Sequence, residues 1–214
     1  MTQGHGRFIT LEGSEGVGKS TNVAFVRNYL ERRGIRVVTT REPGGTARAE
    51  AIRELLLDPR PQERLADDAE LLLIFAARAQ HLEALIRPAL MRGDWVVCDR
   101  FTDATYAYQG AARGVSLERL AVLERFVQRG LSPDLTLLFD MPVEDARARL
   151  EARGVAPDRF EREGADFFAA VRRGYLERAA NDADRVEIVD ARPALEQVQA
   201  QLTDVLDHRL SLWI

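Results

Sequence analysis

Phe8-Ile-Thr-Leu-Glu-Gly-Ser-Glu-Gly-Val-Gly-Lys-Ser-Thr21 is the stretch that decides the fold of this chain. Its first four residues are apolar or β-branched and predict a buried strand. Residues 13–20 then fit the pattern G-x-x-x-x-G-K-[ST]. The glycines let the backbone curl so that several N–H groups point inward, and a helix beginning near Gly18 directs its positive end to the same place. The stretch therefore predicts a strand, a phosphate-binding loop and a helix, in that order.

The side chains of this loop suggest how a nucleotide is held. Lys19 supplies a positive charge for the β- and γ-phosphates, and the Ser20 hydroxyl can reach a magnesium ion. An unliganded glycine-rich turn is the alternative, but the strand and helix on either side argue against it. The residues predicted to bind the ATP phosphates are Gly13, Ser14, Glu15, Gly16, Val17, Gly18, Lys19, Ser20 and Thr21.

Strands and helices alternate along the rest of the chain. Short β-branched or apolar runs predict further strands at residues 35–40, 95–98, 135–139 and 185–189. Apolar residues at helical spacing predict helices at 21–33, 47–57, 67–91 with an interruption at Pro88, 116–129, 143–152, 161–180 and 195–210. This alternation predicts an α/β protein with the three-layer P-loop NTPase fold, a five-stranded parallel sheet flanked by helices. No repeat or linker divides residues 1–214, so we expect a single domain.

The composition narrows the class of protein. With 214 residues, 46% of them hydrophobic, the chain can bury a substantial core. Its net charge of −4 has the wrong sign for a protein that binds nucleic acid over a large surface. Cys98 alone cannot form an internal disulfide, which suits a reducing compartment. The first residues do not form a signal peptide, and no apolar run reaches the length of a membrane span. We expect a cytoplasmic protein that binds neither nucleic acid nor membrane.

Charged residues follow the predicted strands, where open parallel sheets bind their ligands. Asp99 and Arg100 come directly after the strand at 95–98. Asp99 could hold magnesium directly or through water while Arg100 faces an anion, or Asp99 could simply cap the next helix. Arg149 and Arg153 lie near the end of the helix at 143–152, before a break. They could belong to a flap that covers the phosphates, or to a solvated helix face.

Several motifs in order resemble those of the thymidylate kinase family, bacterial type, one of the P-loop nucleoside monophosphate kinases. The likeness runs from Phe8 to about Leu206. The phosphate loop alone occurs in many NTPases, and Phe75-Ala-Ala-Arg78 and Asp158-Arg-Phe-Glu161 add to the likeness. The segments specific to this family are Thr40-Arg-Glu-Pro-Gly-Gly-Thr46, Asp99-Arg-Phe101 and Thr105-Tyr-Ala-Tyr-Gln-Gly110.

The resemblance implies that ATP gives its γ-phosphate to dTMP, with Mg2+ required, and that the dTDP formed serves dTTP synthesis for DNA replication. It also implies a homodimer through helices near residues 67–91 and a flap at about 147–162. The implied catalytic residues are Lys19, Arg100, Arg149 and Arg153, and the implied Mg2+ ligands are Ser20 and Asp99. The residues implied to bind dTMP are Glu15, Arg41, Glu42, Pro43, Ile74, Phe75, Arg78, Arg100, Thr105, Tyr108 and Gln109.

Some of these implied roles are specific. Glu15 would lie near the sugar 3′-hydroxyl, and Arg78 would hydrogen-bond the thymine edge, with Thr105 and Gln109 nearby. Tyr108 would press on the sugar and disfavour a 2′-hydroxyl, because burying an unpaired hydroxyl costs about 1–3 kcal/mol.

The sequence departs from the family pattern at two places. The phenylalanine that stacks on the base lies four residues before the arginine in the family, and Ile74 occupies that position here. Phe75 is one residue later and points about 100° away on a helix. We expect Ile74 in the pocket and Phe75 in the core, although an adjusted helix could reverse this. In addition, residues 14–17 contain no basic side chain, which gives Arg149 and Arg153 more weight as catalytic arginines.

Two other functions fit parts of the sequence. Another nucleotide kinase, acting on AMP, CMP or GMP, would share the phosphate loop. A nucleotide-switched binding protein would also share it, but such a protein has no need of the second nucleotide pocket that residues 40–46 and 105–110 predict.

Overall fold

The computed structural model describes residues 6–58, 63, 65–152, 154 and 158–214. Its strands are β1 Phe8–Glu12, β2 Val37–Arg41, β3 Trp95–Asp99, β4 Leu135–Asp140 and β5 Val186–Asp190. They form one sheet in the order β2-β3-β1-β4-β5, and every neighbouring pair is parallel. The predicted five-stranded parallel sheet is therefore confirmed. The two strands nearest the N-terminus are not neighbours, because β3 lies between them.

Helices connect the strands. Those in the described part of the chain are α1 Lys19–Glu31, α2 Ala47–Leu57, α3 Asp67–His81, α4 Arg87–Met91, α5 Thr102–Thr105, α6 Leu117–Gln128, α7 Val143–Ala152, α8 Ala165–Asn181 and α9 Leu195–Trp213. The Ser116 hydroxyl accepts a hydrogen bond from the Arg119 N–H, so Ser116 is the N-cap of α6. None of the described helices is both long and apolar enough to cross a membrane.

Two segments of π-helix modify the predicted pattern. Leu82–Ile86 joins α3 to α4, so the interruption expected at Pro88 lies earlier, at residues 82–86. Pro88 then falls in the first turn of α4, where its missing N–H costs little. The second segment, Tyr106–Ala112, continues α5. The sequence did not predict this helical stretch, which carries several candidate site residues.

The core lies on both faces of the sheet. Successive residues of a strand point to opposite faces, and β1 is buried along its whole length. Ile9 and Leu11 belong to a cluster with apolar residues of α1 and α9. Phe8 belongs to a second cluster with residues of Leu82–Ile86 and α4. The sheet therefore lies between two helical layers, which gives the three-layer arrangement that was predicted.

The register of the sheet determines which residues meet at its carboxyl edge. Asp99 of β3 is paired with Leu11 of β1 on one side and with Arg41 of β2 on the other. The Arg100 N–H extends the β1–β3 pairing by donating to the Leu11 carbonyl. β1 ends one residue after Leu11, at Glu12, and the phosphate loop follows it. The start of the loop therefore lies at the same edge of the sheet as Arg41 and Asp99.

Candidate functional site

A cleft of about 650 Å³ opens at the carboxyl edge of the sheet. The phosphate loop forms one end, and α2, α3 and the α5 region form the other. The predicted site residues that line it are Glu15, Gly16, Gly18, Lys19, Ser20, Thr21, Arg41, Glu42, Pro43, Ile74, Arg78, Asp99, Arg100, Thr105, Tyr108, Gln109 and Arg149. Positions that are distant in sequence are thus assembled around one cavity.

A few predicted residues lie elsewhere. Val17 is 2% exposed and packs in the core rather than facing the cleft. Phe75 packs with Leu71 and Leu120 in a separate apolar cluster. Gly13 and Ser14 contribute backbone carbonyls to the loop without lining the cavity. Arg153 lies outside the described residues.

The phosphate loop has a backbone that favours glycine. Gly13, Gly16 and Gly18 have φ angles of 135°, 80° and 91°, in or near the left-handed region that side chains rarely adopt. At Gly16 a Cβ would also lie 2.3 Å from the Ala146 carbonyl oxygen of α7. Helix α1 then begins at Lys19, with its N-terminus next to the cleft. This is the geometry that suits an anion.

Lys19 is buried in the loop and is held by its backbone. Its Nζ donates to the carbonyl oxygens of Gly13 at 2.9 Å and Ser14 at 2.7 Å. Burial and the nearby Arg100 guanidinium together lower the pKa of Lys19 to about 8, against the opposing effect of Glu15. An anion in the cleft would favour the charged form of this side chain.

Arg100 is bound to the phosphate loop through its side chain. It has a φ of 69°, an uncommon conformation for a residue other than glycine. Its Nη1 donates to the Gly13 carbonyl at 2.7 Å, and its Nη2 donates to Glu15 Oε1 at 2.6 Å. Burial would raise the pKa of Glu15, but the Arg100 and Lys19 cations outweigh it and hold that pKa below its usual value. Glu15 is thus an anionic member of a cationic site.

Two buried residues, Tyr175 and Glu12, hold Arg100 in position. Tyr175 of α8 accepts from Arg100 Nη1 at 2.9 Å and donates to Glu12 Oε2 at 2.8 Å. Glu12 Oε1 accepts from the Phe101 N–H at 2.6 Å. Burial raises the pKa of Glu12 to about 7, with a contribution from Asp103 and against that of Arg100. Glu12 therefore fixes both the guanidinium of Arg100 and the backbone directly after it.

At the other end of the cleft lies Arg78, which is 2% exposed. Its Nε donates to Glu42 Oε2 at 2.7 Å, and its Nη2 donates to the Phe101 carbonyl and to Thr105 Oγ1. Its Nη1 is buried and has no hydrogen-bond partner among the described residues. An unpaired buried donor costs free energy, so Nη1 fits a ligand that supplies an acceptor.

The wall beside Arg78 is formed by the helix that carries it. Ile74 of α3, one turn earlier, lines the cleft and is 9% exposed. The ring of Phe75 points into the core and lies 5.0 Å from the Arg78 guanidinium carbon. Tyr108 closes the opposite side, with its hydroxyl donating to Glu15 and its ring against those of Phe160 and Phe167.

The cleft has groups that suit a divalent cation. Asp99 Oδ1 is buried without a hydrogen-bond partner among the described residues, although the residue lines the cleft. Ser20 lines the cleft as well. A carboxylate oxygen and a hydroxyl are ligands that Mg2+ accepts, with phosphates and water completing its shell. Among the described residues, no three His, Cys, Asp or Glu side chains form a metal-binding group, so the protein alone does not enclose an ion.

The region between α7 and α8 also reaches the cleft. Asp158, Phe160 and Glu161 line it. Arg149 of α7 lines it too, while its guanidinium donates to the carbonyl oxygens of Ala191 and Arg192, both at 3.0 Å. The centre of the predicted flap, including Arg153, lies outside the described residues.

Some residues that line the cleft, or that hold its side chains in place, were not predicted from the sequence. Arg53 of α2 lines the cleft and donates to the Pro43 carbonyl at 2.9 Å. It was not predicted because an arginine within a helix is usually solvated. Burial and the neighbouring Arg41 lower the pKa of Arg53, which indicates a concentration of positive charge. Glu12 and Tyr175 gave no signal, because only the fold brings them together. Asp158, Phe160 and Glu161 belonged to a recognised motif without an assigned role.

Comparisons with known proteins agree with this architecture. The sequence model of a family described as thymidylate kinase matches residues 11–202. The thymidylate kinase of Chromohalobacter salexigens is 67% identical over 208 residues, 97% of this chain and 98% of that protein. The thymidylate kinase of Ectopseudomonas mendocina is 60% identical over 205 residues, 96% of this chain and 97% of that protein. The crystal structure of thymidylate kinase from Ehrlichia chaffeensis has a TM-score of 0.75 and 31% identity, and the match covers 94% of this chain and 99% of that one.

Proposed function

The chain belongs to the thymidylate kinase family, and on that premise we propose how its cleft performs the reaction. The protein phosphorylates dTMP to dTDP with ATP as the phosphate donor. The assignment of the cleft rests on the difference between its two ends. One end is a phosphate loop with a buried lysine, and the other is a buried pocket around Arg78 whose Nη1 lacks an acceptor. The first end suits the donor phosphates, and the second suits a nucleobase with a carbonyl.

The donor is assigned to the loop at residues 13–21 and the N-terminus of α1. Lys19 and the backbone N–H groups of the loop hold the β- and γ-phosphates. Lys19 exchanges its carbonyl partners for phosphate oxygens, which satisfy an ammonium group more strongly because they carry charge. The donor phosphates are thereby fixed next to Arg100.

The acceptor is assigned to the opposite end. The monophosphate lies among Arg41, Arg53 and Arg100, three cations of which Arg41 is paired with Glu50 and Arg100 with Glu15. Arg78 Nη1 donates to a carbonyl of thymine, with Thr105 and Gln109 nearby, and Ile74 packs on the base as an aliphatic platform. Phe75 supports Arg78 from the core. Tyr108 presses on the sugar and excludes a 2′-hydroxyl, and Glu15 lies near the 3′-hydroxyl.

The transfer is a direct displacement. An oxygen of the dTMP phosphate forms a bond to the γ-phosphorus of ATP while the bond between that phosphorus and the β–γ bridging oxygen breaks, giving dTDP and ADP. No residue has to remove a proton, because a phosphate monoester is largely ionised at pH 7. The protein contributes by positioning the reactants and by neutralising the charge that spreads over the transferring group.

In this proposal, further positive charge for the phosphates comes from Mg2+ and from arginines of the flap. Ser20 and Asp99 would hold Mg2+, which when bound neutralises charge on the phosphates; the unpaired buried Oδ1 of Asp99 supports this assignment. Arg149 and Arg153 would add positive charge from the predicted flap at residues 147–162. Arg149 already lines the cleft, while the role of Arg153 rests on the sequence resemblance.

A homodimer completes the proposal. Apolar side chains on the neighbouring helices α3 and α6 are exposed: Leu72 is 58% and Phe126 is 76% accessible. Exposed apolar residues on adjacent helices suit an interface. We expect the dimer to work in the cytoplasm as one domain per chain, residues 1–214.

The proposal is tested by comparing kcat/KM for dTMP, dUMP, dCMP and AMP with ATP, with and without Mg2+. A preference for dTMP of about tenfold or more over AMP and dCMP, together with loss of transfer on chelation, is the expected outcome. Preference for another monophosphate would support a different nucleotide kinase. Slow ATP hydrolysis without any dependence on an acceptor would instead indicate a nucleotide-switched binding protein.

A further inference from the structure

Glu70 is a buried carboxylate of α3 that the mechanism above does not use. The residue is 1% exposed. Its two oxygens bind different parts of the protein: Oε1 accepts from Gln109 Nε2 at 2.7 Å, and Oε2 accepts from Arg159 Nη2 at 2.7 Å. Gln109 lines the acceptor end of the cleft, and Phe160, which follows Arg159, lines it as well. Glu70 is therefore a link behind the cleft wall.

The charge of this carboxylate is compensated by arginines. A buried carboxylate is costly unless it is paired and hydrogen-bonded. Arg159 pairs with it, and Arg113 Nε lies 3.7 Å from Oε1. Arg159 is held in turn by the Leu56 carbonyl, to which its Nε donates at 2.7 Å. The pairing keeps Glu70 in place as a group that only accepts hydrogen bonds.

This chemistry determines the orientation of the Gln109 amide. A carboxylate can only accept, so the amide must turn its NH₂ group towards Glu70. Among the described residues, the Gln109 side chain makes its hydrogen bond through Nε2 to Glu70. The carbonyl Oε1 is then the end of the amide that remains for the cleft. The amide of a glutamine that faced another amide would have no such constraint.

An amide carbonyl in the cleft discriminates between pyrimidines. N3 of thymine carries a hydrogen and donates, whereas N3 of cytosine has a lone pair and accepts. A carbonyl oxygen can therefore bind thymine N3–H, while it faces the lone pair of cytosine without a hydrogen between them. A polar group that is buried without a partner is the strongest means by which a pocket rejects a near-isosteric ligand.

From these contacts we infer that Glu70 is a positioning residue for acceptor selection, which acts through Gln109. By fixing the Gln109 carbonyl towards the cleft, it makes the pocket select a pyrimidine whose N3 is a hydrogen-bond donor. This inference rests on the proposed placement of dTMP in the cleft.

The test is Glu70→Gln, measured as the ratio of kcat/KM for dTMP to kcat/KM for dCMP. Two facing amides can pair in either orientation, so the Gln109 carbonyl is no longer fixed. The ratio should fall by about tenfold or more. A general loss of folded or active protein lowers both values equally and leaves their ratio unchanged, so the ratio reports on selection rather than on stability.

A matched control is available on the same helix. Asp68 of α3 pairs with Arg119 at 2.7 Å, but its side chain is 65% exposed. Asp68→Asn should leave the ratio within about twofold of the unmodified protein, because exposed pairs contribute little. An equal change in both variants would overturn the inference.

A double substitution tests whether Glu70 acts through Gln109. Gln109→Leu should itself lower the ratio by about tenfold or more, and adding Glu70→Gln should then change it by less than about threefold. If Glu70→Gln does not fold, Gln109→Leu still decides: an unchanged ratio in that variant overturns the inference. Failure of the proposed function would be distinct, because the unmodified protein would then show no preference for dTMP.

Discussion

Lys19 shows how a single side chain in this cleft depends on its surroundings. Its ammonium group is buried against the carbonyl oxygens of Gly13 and Ser14, and the pocket around Arg78, which we propose for the acceptor, is built from other residues. Lys19→Ala should therefore lower kcat by about 100-fold or more, the scale of losing one charge-stabilising group in a transition state. Initial-rate kinetics at saturating ATP and dTMP measure this loss.

Binding of dTMP provides the control for that variant. Calorimetric titration should give a dTMP affinity within about threefold of the unmodified protein, because Lys19 is assigned to the donor. Near-normal turnover by Lys19→Ala would contradict the mechanism, and a large loss of dTMP affinity would move Lys19 to the acceptor site.

The same lysine makes ATP binding depend on pH. Burial lowers the pKa of Lys19 from 10.5 to about 8, so in the free protein the ammonium loses its proton as the pH rises through about 8. Phosphates bind the charged form, and the KM for ATP should consequently rise with pH between about 7 and 9. Steady-state kinetics at constant ionic strength test this.

Arg100 supplies an internal comparison for the pH experiment. Its pKa is held well above the usual arginine value, chiefly by Glu15 against the cost of burial, so it stays charged throughout this range. Between about pH 7 and 9 the KM for dTMP should therefore remain constant, while the KM for ATP rises. Parallel changes in both constants would show that the effect does not come from Lys19.

At the scale of secondary structure, helix α8 packs closely against the π-helical segment Tyr106–Ala112. A Cβ at Gly174 would lie 2.7 Å from Ala111 Cβ and 3.0 Å from Ala107 Cα. Both atoms are fixed to the backbone, so Gly174→Ala should destabilise the protein by about 1–3 kcal/mol although alanine favours helices. Urea unfolding measures the change.

Gly164, directly before α8, offers a comparison. A Cβ there meets nothing within 4 Å, and its φ is −75°, which any residue can adopt. Gly164→Ala should change stability by less than about 1 kcal/mol. If Gly174→Ala is equally well tolerated, the close approach of α8 to the acceptor pocket is not rigid.

The elements differ in how well the sequence predicted them. α2 and α7 have the predicted bounds, because their apolar spacing and their breakers are local. The helical stretch over α5 and Tyr106–Ala112 was missed, since its polar residues and Gly110 resemble a loop. It packs against α8, which begins more than 50 residues later in the chain. Local pattern cannot show such a contact.

At the scale of the whole molecule, the exposed apolar side chains of α3 and α6 determine the expected assembly. Phe126→Asp places a charge on a side chain that is 76% exposed in the single chain and would be buried in the dimer. Burying an unpaired charge is costly, so the variant should sediment as a monomer at concentrations where we expect the unmodified protein to be a dimer. Sedimentation equilibrium measures this.

Leu212 on α9 is the control, since it is also apolar and 64% exposed. Leu212→Asp should leave the dimer intact. A monomeric unmodified protein, or a Phe126→Asp dimer of unchanged affinity, would remove α6 from the interface.

The sequence by itself determined the phosphate loop, the alternation of strands and helices and, through the resemblance to the thymidylate kinase family, most of the residues around the cleft. These features depend on local spacing, on glycine conformation and on the direction in which parallel strands end. Only the tertiary structure decided that Glu12 and Tyr175 support Arg100, that Arg53 joins the cationic end, and that Glu70 connects Gln109 to Arg159. These contacts join parts of the chain that are distant in sequence, so only the packing of the fold brings their polar groups together. Once buried, each of these groups requires a hydrogen-bond partner.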